Sequence, residues 1–453
     1  MMEQPPAIPG LTDTASEACY RAVRRDIIFG KLQPNERLRL ETLRDNYGSS
    51  ISTLREVLNR LSGERFVISQ GQRGFTVAPV TQEEFHDLAT LRELLEGHAL
   101  SRSFEKGDLE WEGRVVGAYH KLGRIEAQML EGKRDQSELW KHYDKEFHHQ
   151  LIAACGSDEL LTAHASVFDH YLRYQIIAVI FRGNDAAYEH LLLRDCALER
   201  DDQRAISVLN GHIAACVAHT AAGGLLPQGV PASPFAFQRE TVSAKTWNEV
   251  RRDILGGRLA PGRKLKLEGL RSDYGASVSI LREVLNRLAT EGLVVAEGQR
   301  GFEVALVSAD NLRELAELRL LLEGRALINS FQNGDVDWEA RVIAAHHKLA
   351  AMEERMDRGD RSQIDLWKRL DWGFHQALIS ACGSDALMHL HGGVFDKYLR
   401  YQMIALSFRG QIAAAEHRAL LDAALKRDHE TAASVLKEHL LGGVQHALNS
   451  GTI

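Results

Sequence analysis

The chain has 453 residues, too many for one ordinary domain and enough for three or four. Hydrophobic residues make up 44% and charged residues 26%, no apolar run approaches the roughly 18–20 residues of a membrane span, and the opening MMEQPPAIPGLTDT lacks the basic start and apolar core of a secretory leader, so a membrane or exported protein is not expected. The net charge is -7, and five scattered cysteines (Cys19, Cys155, Cys196, Cys216, Cys382) form no CxxC pair, which suits a reducing cytoplasm and excludes a disulfide framework or a cysteine-type zinc site.

In chain order, residues 1–14 form a tail, and a helical pattern follows from about Ser16 to Phe29, with Val23, Ile27 and Ile28 on one side and Gly30 as its stop. A short helix is expected around Glu41–Asn46. A turn at Tyr47-Gly48 then leads to a third helix over about Ser52–Gly63, with Ser50 or Ser52 as N-cap and Leu54, Val57, Leu58 and Leu61 facing inward. Two apolar stretches, Phe66–Ser69 and Phe75–Ala78, flank GQRG and predict a β-hairpin with a basic, glycine-bounded tip. Three helices and a hairpin predict a winged helix-turn-helix over 15–80, a fold that lays its third helix in the major groove of DNA. Residues 16–80 hold eleven Lys/Arg against seven Asp/Glu, although an excess of that size also lies within the ordinary scatter of small domains.

Residues 81–222 carry apolar positions at helical spacing, first through Leu88, Leu91, Leu94, Leu95 and Leu100, then through Val115, Ala118, Leu122 and Ile125. Breaks at Gly107-Asp108, Gly132, Gly156-Ser157, Gly183-Asn184 and Asp201-Asp202 divide this region into about six or seven helices, which predicts an all-α bundle. A Gly- and Pro-rich stretch, 223–241, reads as a linker.

Beyond the linker the pattern starts again. A shift of 227 residues aligns 15–226 with 242–453 without a gap and with about half the positions identical: REVLNRL, GQRGF, LEG, CGSD and VFD-x-YLRYQ all recur. A period this long makes each copy a complete multidomain unit. The second winged helix is expected over 242–307 and the second bundle over 308–453. Residues 243–307 hold eleven basic and eight acidic side chains, so once +4 and +3 are assigned to the two heads the rest of the chain carries -14.

Inside each bundle lies a candidate metal constellation. Asp144 and His148 are four apart and project from one helix face, and His190 and His212 fall on two later helices; Asp371, His375, His417 and His439 repeat the set. Three imidazoles and a carboxylate suit zinc, nickel, iron or manganese. Each copy shares six histidine positions (also His120/His347, His164/His391 and His219/His446), so hydrogen-bonded core or surface histidines retained after duplication explain the set equally from chemistry alone.

The pattern L-x(3)-YG-x-S-x-S-x-LREVLNRL followed by GQRGF-x-VA resembles the head of the GntR family of bacterial transcription regulators, and it occurs twice. The resemblance implies that Ser50, Ser52 and Arg55, with Ser277, Ser279 and Arg282, face DNA. It also implies that Gln72, Arg73 and Gly74, with Gln299, Arg300 and Gly301, form wing tips. Arginine there can bond phosphate or guanine, and an ion pair to a neighbouring helix is the alternative for Arg55. Many relatives carry a polar residue where this chain has Ile51 and Val278, which implies weaker base readout or thymine-methyl contact there.

The helical regions, through W-x(3)-D-x-x-FH-x-x-L, then EH, then a last His 22 residues on, resemble the FCD ligand-binding domain of the FadR subfamily. That resemblance implies one divalent ion per bundle, zinc foremost, on the two Asp/His sets. It further implies a small carboxylate effector ligating the ion, with Arg92 and Arg319 in the pocket and Arg173 and Arg400 as secondary candidates. A surface ion pair with Glu96 at i+4 is the alternative for Arg92. The expected protein is therefore a cytoplasmic, non-enzymatic, DNA-binding regulator, commonly a repressor. It would act as an intramolecular pseudo-dimer on a pseudo-palindromic operator, with a dimer of tandem chains also permitted. Its rivals are a sensor for the ion itself, a metal-dependent hydrolase, and a constitutive DNA-binding protein with relic pockets.

Overall fold

The computed structural model describes residues 15–69, 74–133, 136–178, 181–224, 226–228, 242–296, 301–360, 362–405 and 408–453. The tail 1–14, most of the expected linker and the wing-tip residues Gln72, Arg73, Gln299 and Arg300 lie outside them.

The first head runs α1 (Ala15–Ile28), β1 (Arg37–Leu38), α2 (Leu40–Tyr47), α3 (Ile51–Gly63), β2 (Val67–Ser69) and β3 (Phe75–Val77). Val23 and Ile27 of α1 and Leu54, Leu58 and Leu61 of α3 are fully buried, which is the helical stripe expected from their spacing. Tyr47 ends α2, and Gly48 takes the left-handed conformation (φ 63°) that turns the chain into α3. Ser50 is the N-cap of α3, and its hydroxyl accepts from Thr53 N at 3.1 Å. The hairpin of β2 and β3 is present, but it belongs to a three-stranded sheet of order β1-β3-β2, because Arg37 and Leu38 pair with Thr76 and Phe75. A two-residue strand is too short to show alternation, so β1 carries no periodic signal.

The first bundle follows as α4 (Gln82–Lys106), α5 (Leu109–Leu130), α6 (Ser137–Ile152), α7 (Asp158–Ile177), α8 (Asn184–Glu199) and α9 (Asp202–Gly223). The five breaks fall where glycine and acidic residues suggested. Thr81, Asp108, Ser157 and Asp201 each cap the next helix by accepting a backbone N–H, at 3.2, 2.8, 3.2 and 3.0 Å. One expectation needs correcting: α9 is long and apolar enough to span a membrane by composition alone. Here it packs against α4 and α8 and contributes a buried histidine to the bundle, the role of a core helix.

The second half repeats the order with α10 (Val242–Leu255), β4 (Lys264–Leu265), α11 (Leu267–Tyr274), α12 (Val278–Thr290), β5 (Val294–Ala296), β6 (Phe302–Val304), α13 (Ala309–Asn333), α14 (Val336–Asp357), α15 (Ile364–Ile379), α16 (Asp385–Ile404), α17 (Gln411–Lys426) and α18 (His429–Asn449). The described residues are therefore mainly helical, with two small sheets.

The chain folds into two compact units. One gathers the head regions, up to Val80 with 230–250 and 264–303; in it α3 packs against α12, with Gly63 facing Thr290 and Arg287. The other gathers both bundles, 81–229 and 304–453 with 251–263. There α4 and α7 pack on α16 and α13, and each bundle caps a helix of the other: Asp87 accepts from Ala386 N at 2.9 Å, and its counterpart Glu314 accepts from Glu159 N at 3.1 Å and from the Ser157 hydroxyl at 3.2 Å. Other contacts are one-sided. Glu317 pairs with His98 (3.1 Å) and Arg102, and Glu159 with Lys397 (2.8 Å) and Asn311 (3.0 Å).

Candidate metal centre and DNA-facing helices

The i,i+4 spacing on α6 puts Asp144 and His148 on one inward face; α8 brings His190 and α9 brings His212 to it. One ligand atom from each of the four lies within 4.8 Å of all the others, and every one of these side chains is buried. Asp371, His375, His417 and His439 on α15, α17 and α18 form the same cluster. His190 Nε2 stands 3.4 Å from an Asp144 oxygen, and His417 Nε2 3.2 Å from an Asp371 oxygen.

Each imidazole is held from behind by its own glutamate. Nδ1 of His148 meets Glu96 on α4 at 2.5 Å, Nδ1 of His190 meets Glu126 on α5 at 2.8 Å, and Nδ1 of His212 meets Glu189 on α8 at 2.7 Å. In the second bundle His375 pairs with Glu323, His417 with Glu353 at 2.7 Å and His439 with Glu416 at 2.8 Å. A carboxylate on Nδ1 fixes the tautomer that leaves Nε2 with its lone pair free, the arrangement that tunes a histidine as a metal ligand. The Nε2 atoms of His148, His190, His375 and His417 are buried and have no hydrogen-bond partner among the described residues. Orphaned buried nitrogens aimed at one another and at a carboxylate fit a divalent ion. Among the described residues, both clusters therefore have the donor set and the supporting shell for one.

The six glutamates were not singled out in the sequence, although Glu96 and Glu323 lie in the recurring LEG, and Glu189 and Glu416 directly precede His190 and His417. Their recurrence at the 227-residue period was the available signal.

The charges of these groups follow from burial set against neighbours. Without an ion, burial opposes protonation of His190, but the Asp144 and Glu126 carboxylates outweigh it and raise the imidazole to about 9, so an ion would take Nε2 by displacing its proton; His417 behaves alike. Burial lowers His212 and His439 to about 3 despite their glutamates. Glu189, with His212 and Arg182 overcoming its burial, is held at about 2. Asp144 stays well below the ordinary carboxylate range because Lys141, His190 and His148 outweigh burial.

Arg92 is fully buried on α4. Its Nε donates to Glu96 at 2.8 Å, its Nη2 lies 3.1 Å from His148 Nδ1, and its guanidinium stacks 4.3 Å from the Phe168 ring centre. The i+4 ion pair to Glu96 thus forms, but in the bundle core beside the cluster rather than at the surface. Nη1 of Arg92 and Nη2 of Arg319 have no partner among the described residues. Arg173 and Arg400 are placed differently. Arg400 donates to the Ala305 carbonyl in the segment ahead of α13, and Arg173 has Tyr174 and Glu84 as its charged neighbours.

A lysine and a glutamine stand beside each cluster. Lys141 donates to Asp144 at 3.3 Å and to Gln175 at 3.0 Å, and Lys368 donates to Gln402 at 2.5 Å. At the second cluster a cavity of about 20 Å³, room for one ion or water, is lined by Asp371, His417, His439 and Lys368 among others.

In the heads, Ser50, Ser52 and Arg55 stand exposed on the first turns of α3, as do Ser277, Ser279 and Arg282 at α12. Neither arginine makes an ion pair with another described residue. Ser50 and Ser277 are engaged as N-caps, bonding Thr53 N and Ile280 N. Gly74 and Gly301 adopt φ of 93° and 103°, the left-handed backbone a tight wing needs.

The sequence matches the family of bacterial regulatory proteins, gntR family, over 15–77 and again over 243–304, and the FCD domain over 87–215 and 314–442. It is 37% identical over 209 residues to the HTH-type transcriptional regulator BphR of Paraburkholderia xenovorans, covering 46% of this chain and 85% of that one. It is 31% identical over 200 residues to the HTH-type transcriptional repressor GlaR of Escherichia coli, covering 43% and 90%. Among solved structures, E. coli McbR/YncC aligns with 47% of this chain and 99% of its own at 22% identity and a TM-score of 0.41. The relatives are named as transcription regulators, and no enzyme is among them. With head and helical domain each present twice, this chain belongs to the GntR family of DNA-binding transcription regulators, in its FCD-domain branch, as a tandem duplication.

Proposed function

We propose that this protein is a repressor whose grip on operator DNA is set by a small carboxylate bound at a divalent ion, zinc foremost, in the helical domains. The observation that carries this reading is the set of unpartnered Nε2 atoms, each backed by a glutamate, beside an arginine with a free Nη in the same core. Asp144, His148, His190 and His212, with their counterparts Asp371, His375, His417 and His439, would hold the ions. An ion there supplies a Lewis-acidic anchor for an anionic ligand. Arg92 and Arg319 would add charge-assisted bonds to a carboxylate, with Arg173 and Arg400 as secondary candidates.

The heads, 15–80 and 242–307, would each read one half-site through Ser50, Ser52 and Arg55 or Ser277, Ser279 and Arg282, with the wing tips of Gln72, Arg73 and Gly74 or Gln299, Arg300 and Gly301 against groove or backbone. The bundles, 81–222 and 308–453, would sense, and the linker 223–241 makes the pairing of heads intramolecular, at high effective concentration. The effector acts by binding one arrangement of the heads better than another.

A second reading, in which the ion is itself the effector, draws support from the second-bundle cavity, whose size suits an ion or water. Fluorescence anisotropy on DNA from upstream of the protein's own gene separates the two. Chelator-sensitive binding that also responds to organic acids supports the carboxylate reading; sensitivity to metal alone supports the ion sensor. Affinity no better than for random DNA across several promoter fragments would sink both.

A further inference from the structure

This inference rests on the reading that both clusters hold ions, and concerns how the two pockets differ. Nine residues line the cavity at the second cluster, and eight of them have an identical residue 227 positions earlier. The exception is Gly443 on α18, whose counterpart on α9 is Cys216. Each lies four residues beyond the last histidine of its cluster and so on the same helix face.

That one difference changes what a neighbouring tyrosine does. A Cβ on Gly443 would stand 2.7 Å from the Tyr398 hydroxyl, so that hydroxyl has closed onto bare helix backbone and donates to the Leu440 carbonyl at 3.3 Å. In the first bundle Cys216 has its side chain in place, buried, and its sulfur accepts from Gln175 at 3.6 Å. Tyr171, the counterpart of Tyr398, is fully buried, and its hydroxyl has no well-aligned hydrogen-bond partner among the described residues. The Cys216 thiol, a weak acceptor, faces it, and Arg92 and Asp144 also act on it. The Arg92 guanidinium lies 4.8 Å from the Tyr171 ring centre, and its Nη1 is also unpartnered. Two buried donors, one with only a weak sulfur acceptor and one without a partner among the described residues, therefore stand beside the first cluster, whereas in the second the tyrosine is engaged by a backbone carbonyl.

We propose that the two sensing pockets are inequivalent, and that the first is the tighter site for a small carboxylate because Cys216 keeps Tyr171 from the helix backbone and leaves its hydroxyl only a weak sulfur acceptor to give up for the ligand. A buried donor that gains a charged acceptor is worth roughly tenfold in affinity.

The test uses the full chain loaded with Co²⁺, titrated with acetate and followed through the visible absorption of the bound cobalt. The expected result is uptake of one ion per bundle and a two-phase acetate response, with the tighter phase carrying about half the change. Tyr171→Phe should remove the tight phase and leave the weak one. Cys216→Gly should do the same by letting Tyr171 reach the backbone, while Cys216→Ala, which keeps Cβ, should preserve it. A single phase shared by both ions and insensitive to Y171F overturns the proposal, as does no acetate response at either ion. Failure to take up cobalt instead overturns the metal reading beneath it, so the two failures are distinguishable.

Discussion

Glu189 serves His212 and not its own neighbour His190: its carboxylate lies 2.7 Å from His212 Nδ1, across the packing of α8 on α9, while His190 is held by Glu126 from α5. Adjacent residues on one helix thus point into different bonds, one in the Asp/His cluster and one as the support of another of its histidines. The same carboxylate also takes Arg182 Nη1 at 3.1 Å. Removing such outer-shell partners typically weakens metal affinity about 10–100-fold. Glu189→Gln and Glu416→Gln should each weaken binding at one of the two ions by that factor, measured by competition with a chelating dye. An unchanged affinity in both would remove the glutamates from the metal site.

Ion binding should stabilise the bundles. A ligand at 100 times its Kd adds about 2.7 kcal/mol to a folded state that alone binds it. Treatment with a chelator should therefore lower the Tm of the bundle transition by several degrees, and restoring Zn²⁺ should reverse the loss. Asp144→Ala combined with Asp371→Ala should abolish the difference. A Tm indifferent to chelator and to zinc counts against resident ions.

For the heads, Arg55 and Arg282 are exposed on the first turns of their helices and form no ion pair with described residues, so removing either should leave the fold intact. Arg55→Ala and Arg282→Ala should each cost operator affinity about 1–3 kcal/mol if the side chain reads a base. A phosphate contact would instead lower the salt slope of binding by about 1 per arginine. Anisotropy titrations at several salt concentrations distinguish these outcomes, and no change in either quantity would remove both residues from the interface.

The contact between bundles should weaken in acid. His98 first, and then Arg102 against the effect of burial, hold Glu317 down to about 2 from an ordinary 4.5. A carboxylate whose folded-state value is depressed stabilises the fold above its unfolded value, and that contribution fades as pH falls from about 4.5 towards 2. The Tm gap between wild type and Glu317→Gln should be full near neutrality and close over that window. A gap independent of pH would show that Glu317 acts through shape and not charge.

Much of this was legible in the residues. Helical periodicity located the helices, the breaks at glycine and acidic positions marked their ends because those residues supply the caps, and the 227-residue period exposed the duplication. The eight clustered ligands could be found because three histidines and an aspartate are conspicuous. Their supports could not be: a glutamate behind a histidine looks, in sequence, like any solvated helix residue, and its partner lies as far as 64 positions away. Arg92 stood between a surface pair and a pocket role. The structure shows that the pair and the burial coexist, which spacing alone cannot separate. Strand β1 escaped notice because two residues carry no pattern. Arg173 and Arg400 were proposed on a recurring motif, YLRYQ, and such a motif marks shared packing as readily as a shared site, so the residues alone do not separate the two roles.

The reciprocal caps between the bundles also bear on how the molecule comes apart. The backbone amides at the start of α7 and α16 are completed by Glu314 and Asp87, each from the opposite bundle. If one bundle unravels, the other loses an acceptor at a helix end and keeps only its own serine cap there. The duplicated halves are thus bound into a single cooperative block. On heating, this block should give one sharp calorimetric peak and not two, and damage to either copy should be felt as the instability of both.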